Sequence, residues 1–189
     1  MLNKIEPAKI YAPMAAEAVH IHTPLTTSAI QSLRAGDQVL LSGDIYTARD
    51  AAHKRMVDML DRGEPLPFGV RDQAVYYAGP CPAPPGRVIG SIGPTTSKRM
   101  DAYSPRLLHE GLRVMIGKGP RNGQVIDAIR KYNGLYLSAV GGAGALLSLC
   151  VTSSELIAFA DLGTEAIYKL SVHDMPLVVA IDSNGDCIY

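Results

Sequence analysis

Three segments of this chain set cationic side chains where the backbone pattern changes course, and together they describe a pocket for a small anion. In GDIYTARDAAHKR (residues 43–55) a strand pattern passes straight into a helical one, so Arg49 stands at or just before the first helical turn. Free backbone N–H groups and the positive end of the helix dipole point there, and a guanidinium adds a two-pronged grip on a carboxylate. The same spacing also fits a surface Arg49 beside an Asp50 that simply caps the helix. In SIGPTTSKRMD (91–101) a Gly-Pro turn precedes a helix start. If that turn is helical, Thr95 and Arg99 share a face and bring a hydroxyl and a guanidinium to one small volume. Thr95, Thr96 and Ser97 also fit an N-cap cluster, the reading that spacing alone favours. In MIGKGPR (115–121) glycines flank Lys118, so backbone can approach a ligand while the ammonium supplies a point charge.

Other chemistries find less support. His53 lies four residues after Arg49 and is placed to orient it on the same helix face, whereas His20, His22, His109 and His173 lack metal-ligand spacing, beyond His20 and His22 sharing a face if extended. No metal site is expected. Cys81, Cys150 and Cys187 are far apart with no C-x-x-C pair, which argues against a disulfide framework or a zinc knuckle and for small buried residues in a reducing compartment. Lys118 lacks P-loop spacing, and Gly141-Gly142-Ala143-Gly144 lacks the third glycine of a dinucleotide fingerprint. Lys and Arg (18) balance Asp and Glu (18), so no net field holds a nucleic acid or an anionic membrane. The N-terminus has no apolar core of a signal peptide, and the uncharged stretch 132–154 is broken by four glycines. A cytoplasmic protein is expected.

The elements that position these residues alternate strand and helix, the pattern of an α/β layer architecture. Strands are expected over 39–41, 74–77, 88–92, 113–116, 135–140, 156–160, 166–172 and 177–181, and helices over 26–33, 49–60, 104–110 and 122–132. Gly36, Gly63, Gly111 and Gly134 are the expected helix stops. After Glu155 the chain reads as mostly sheet, ending in a hairpin at Asn184-Gly185. The Pro-rich stretch GPCPAPPG (79–86) reads as a stiff loop able to wall a site or meet a partner. One domain over 1–189 is expected, with 1–17 as an N-terminal extension.

LSGDIYTARDAAHKR (41–55), YAGP (77–80), GPTTSKRMD (93–101), GKG (117–119) and AIDSNG (180–185) resemble the β subunit of class I fumarases and L-tartrate dehydratases, over about residues 20 to 189. The resemblance implies a swivelling β/β/α domain beside a cluster-bearing α subunit, assembled as a heterotetramer. It implies a [4Fe–4S] cluster held by that partner and none by this chain. It also implies a C4 dicarboxylate substrate, with Arg49 and Arg99 on its carboxylates, Lys118 as an added cation, Thr95 as candidate base, and His53, Asp50 and Thr96 in support. Fumarate and malate are favoured over L-tartrate. The alternative from another class is a non-catalytic module that binds a dicarboxylate or serves assembly.

Overall fold

The computed structural model describes residues 18–189; the expected N-terminal extension lies outside them. Strand β1 (Val19–His22) pairs in parallel with β2 (Gln38–Thr47), and β3 (Ala74–Tyr76), β4 (Val114–Gly117) and β5 (Leu135–Ser138) follow, each parallel to the one before. Parallel neighbours need crossovers, and these carry helices α1 (Thr27–Ser32), α2 (Asp50–Asp61), α3 (Ser104–His109) and α4 (Gly123–Tyr132). A short helix α5 (Gly144–Leu147) then leads to β6 (Val151–Ala158) and the long β7 (Ile167–Ile181). β7 runs antiparallel to β5, β6 and β2, and its pairing with β2 closes the sheet on itself. The expected α/β class with a largely β C-terminal part is what forms.

Period-two alternation in the strands builds two cores. Ala74 and Tyr76, Val114 and Ile116, and Leu135 and Leu137 join Val39, Leu41, Leu170 and Val179 on the inner face of the closed sheet. Val75, Met115 and Tyr136 point the other way and meet the helices through Ala52, Met56, Leu107, Leu108, Val125 and Ile129. Strands buried on both faces read as continuous apolar runs, as parallel sheets require. Local chemistry fixes the helix ends. Thr26 Oγ1 accepts from Ala29 N at 3.1 Å and Asn122 Oδ1 from Val125 N at 3.0 Å, each satisfying an orphan donor of a first turn.

Several sequence expectations shift. Residues 88–92 form no strand; Ile89 and Ile92 are buried, and backbone bonds of Cys81 N to Ser91 O and Gly90 N to Cys81 O close the base of the Pro-rich loop instead. The strands expected over 166–172 and 177–181 are one, because Pro176 and Met175 keep their register opposite Leu40 and Leu41. β6 begins earlier, at Val151, and β1 had no expected counterpart. α4 stops on Asn133, in the left-handed region at φ 51°, rather than on Gly134. Of the cysteines only Cys150 is buried; Cys81 and Cys187 are exposed, and all three are free thiols. The Asn184-Gly185 turn forms, with Ile181 bridged to Cys187.

Candidate functional site

The carboxyl ends of β2, β3, β4 and β5 lie side by side, with Thr47 in register with Tyr76, Tyr76 with Ile116, and Gly117 with Ser138. In α/β sheets this is the edge outside which ligands bind. The three cation-bearing segments leave from it or abut it: Arg49 follows β2, Lys118 follows β4, and Thr95 is tied to the end of β3 by its N–H, which donates to Tyr77 O at 2.7 Å.

Arg49 occupies the N-cap of α2 in an extended conformation and makes no side-chain cap bond. Glu165, in the 3-10 helix Ala160–Glu165, supplies that role: its Oε2 accepts from Ala51 N at 3.1 Å while its Oε1 pairs with Arg49 Nη2 at 3.2 Å. The Arg49 stem lies along Gly79, where an added Cβ would stand 3.1 Å from Arg49 Cδ and collide with the Thr164 carbonyl. Arg49 Nε and Asp50 Oδ1 stand 4.0 Å apart, both buried and neither with a partner. Buried polar atoms are almost always bonded, so a donor and an acceptor left side by side in this way stand out.

Asp50 Oδ2 accepts from Arg99 Nη2 at 2.6 Å, joining the first segment to the second. With side chains 30% and 48% exposed, this pair is worth at most about 1 kcal/mol. So weak a pair can be exchanged for another carboxylate, and a guanidinium has further donors to offer. The second segment joins the third through backbone: Thr96 bridges Lys118 in parallel, Ser97 N donates to Lys118 O at 3.0 Å, and Lys118 N donates to Ser97 Oγ at 3.0 Å. The Lys118 stem runs past Gly141, just beyond β5; a Cβ there would stand 3.7 Å from Lys118 Cδ.

Two local expectations are corrected. Thr95 and Arg99 do not share a helix face, because the helix is a 3-10 turn covering only Ser97–Met100 and Thr95 precedes it, in bonds to the strand. Thr96 takes the N-cap position without a side-chain cap bond, so its exposed hydroxyl is not spent on capping. Gly-Pro sets the turn earlier than helical spacing implies, with Pro94 bridged to Ala78.

His53 faces away from solvent and reaches Arg49 through the backbone, not the guanidinium. Its Nδ1 lies 2.9 Å from Arg49 O, and because a carbonyl only accepts, Nδ1 carries the proton. Burial of the fully enclosed ring lowers its pKa to about 4, so the imidazole is neutral near pH 7 with a bare Nε2 lone pair that finds no partner. The ring sits edge-on to Tyr77 at 5.1 Å between centroids.

The Pro-rich loop walls a cavity of about 370 Å³ together with Gly163, Thr164 and Tyr168. This cavity shares Thr164 with the Arg49 packing, but Arg49, Thr95, Arg99 and Lys118 do not line it. Glu165 was invisible in sequence: it arrives from 114 positions beyond Ala51 and carries no motif. Among the described residues no group of three His, Cys, Asp or Glu side chains could hold a metal ion. No helix among them is long and apolar enough to cross a membrane.

The family model for the fumarase C-terminus matches residues 3–189, almost the whole chain. This chain belongs to the fumarase C-terminus family. A fumarate hydratase 2 of Leishmania major is 40% identical over 156 residues, covering 82% of this chain and 28% of that protein. The aerobic class I fumarate hydratase of Escherichia coli strain K12 is 41% identical over 148 residues, covering 77% of this chain and 27% of that one. A putative L(+)-tartrate dehydratase subunit beta of Methanocaldococcus jannaschii differs in proportion: at 39% identity over 171 residues, 87% of this chain covers 88% of it. A chain of this family thus spans little more than a quarter of the fumarate hydratases, yet is nearly coextensive with a named β subunit.

Proposed function

We propose that this chain is the β subunit of a two-subunit iron–sulfur hydro-lyase, binding a C4 dicarboxylate at the rim formed by Arg49, Thr95, Arg99 and Lys118 and interconverting fumarate and L-malate once joined to its partner. The observation that carries this reading is the physical continuity of the three cation-bearing segments, Arg49-Asp50 to Arg99 by ion pair and Thr96 to Lys118 by β-bridge. They meet at the one edge of the sheet suited to ligands. Three cations against the carboxylates of Asp50 and Glu165 leave an excess of positive charge for a dianion.

In this reading the [4Fe–4S] cluster is held by the α subunit of a cytoplasmic heterotetramer, and this chain supplies none of its ligands. This chain's own part is grip and charge. Arg49 and Arg99 bind the substrate carboxylates through donors that Glu165 and Asp50 leave free and orient, which is the two-pronged geometry a guanidinium supplies best. Loss of a proton beside a carboxylate builds negative charge on that group, and fixed guanidinium and ammonium groups stabilise it without reorganising. Thr95, on a segment tied to β3, is the candidate base: its oxygen takes the substrate proton only after its hydroxyl has released its own, which the cations of the rim favour.

L-tartrate is the second reading, favoured by the β-subunit relative of matching length. Coexpression with a cluster-bearing partner, followed by anaerobic assay of fumarate hydration and L-tartrate dehydration, separates the two. Titration of this chain alone with either dicarboxylate tests the non-catalytic alternative. Tight binding alone with no turnover in any complex would replace the enzyme reading with a sensor or assembly role.

A further inference from the structure

Beneath the rim lies a buried ion pair with no counterpart among the expected site residues. Arg121 Nε donates to Asp101 Oδ1 at 2.6 Å, with side-chain exposures of 0% and 5%. Every remaining arm of the pair is used. Asp101 Oδ2 accepts from Asn122 N at 2.9 Å, and Arg121 Nη2 donates to Ser104 Oγ at 2.7 Å. The guanidinium carbon lies 5.3 Å from the ring centre of Tyr77 and 5.0 Å from that of Tyr136. The Tyr136 hydroxyl reaches the rim as well: it donates to Gly119 O at 2.8 Å and lies 2.9 Å from the Ser97 hydroxyl.

Position gives this pair its meaning. Asp101 comes two residues after Arg99, at the end of the 3-10 turn, and Arg121 comes three after Lys118, just before α4. Burying two charges costs several kcal/mol each and, against an apolar pair of the same volume, brings no net stability as a rule. Fully satisfied buried networks instead select one arrangement of what they join. Here they join the two short turns that bear Arg99 and Lys118.

We propose that Arg121, through its buried pair with Asp101, is a positioning residue that sets the separation of the Arg99 guanidinium and the Lys118 ammonium, and with it the size of dianion the rim accepts. This rests on the dicarboxylate reading above. The polar network is fixed by three hydrogen bonds, whereas Arg99 itself is held only by a half-exposed pair with Asp50. The spacing of the cations is therefore inherited from below.

The test uses the assembled complex. Arg121→Lys keeps the charge but loses the fork, and the double variant Asp101→Leu with Arg121→Met replaces the pair by apolar volume. Expected for both is a KM for fumarate raised about tenfold with kcat within about threefold, the mark of lost ground-state grip. Hydrogen exchange should quicken in residues 96–100 and 117–121 and stay unchanged in β7. Melting temperature should fall little for the double variant; should that variant fail to fold, Arg121→Lys carries the test. KM within about twofold of the native value together with unchanged exchange in both segments would overturn the proposal. If the native complex itself shows no hydratase activity, the dicarboxylate reading falls, and the exchange measurement on this chain still decides whether the pair sets the two turns.

Discussion

Gly117 and the hydroxyl of Ser97 pack so closely that a Cβ on Gly117 would overlap the oxygen, with Tyr77 Cδ2 a further 2.9 Å contact behind it. The close approach lets Ser97 Oγ take the Lys118 N–H. Gly117→Ala should therefore cost about 1 to 3 kcal/mol through overpacking. It should also move Lys118, so chemical denaturation and KM should change together. A variant with unchanged KM would detach Lys118 from the rim.

Arg99→Lys keeps a positive charge and removes the planar fork. Turnover of the assembled enzyme should fall about a hundredfold, the scale of losing one fixed donor to developing charge. Steady-state kinetics with fumarate decide it, and near-native turnover would remove Arg99 from the site.

Burial lowers the pKa of His53 from 6.5 to about 4. Between these values the unfolded chain binds a proton that the folded chain refuses. The stability tied to the neutral ring is complete above about pH 6.5 and is lost as the pH falls toward 4, by about 3 kcal/mol across the window. Urea unfolding at about pH 7 and about pH 4.5 should show that loss, and His53→Gln should flatten it. An equal slope in the variant would assign the acid sensitivity to other groups.

Anaerobic iron and sulfide reconstitution of this chain alone should yield no iron–sulfur absorption. Cys150 is buried, and no third ligand gathers around any cysteine among the described residues. A stoichiometric cluster on the isolated chain would return the cysteines to the chemistry.

Much of this molecule was legible in its residues. The four longer helices fall within a residue or two of their expected bounds because capping residues and apolar periodicity act locally. Arg49, Thr95, Arg99 and Lys118 stand out as candidates for the same reason: each sits where a local pattern breaks. The misses are non-local. A β-bulge sets His173 and Asp174 of β7 against Ser42 of β2, next to Gly43 at φ 105°, where Thr23 leaves no room for a Cβ; it lets β2 pair with β7 from Lys169 to Val178 and merges two expected strands into one. Glu165 and the Asp101–Arg121 pair depend on contacts 20 or more positions apart, which no spacing rule reaches.

The closing role of β7 has an effect on the order in which the protein can mature. The strands bearing the rim emerge from the ribosome early, but the strand that hoops β2 to β5 comes last. A polypeptide interrupted between residues 118 and 167 holds every proposed ligand-binding side chain and still lacks the stave that turns a curled ribbon into a barrel. Closure of the sheet thus waits on the synthesis of β7.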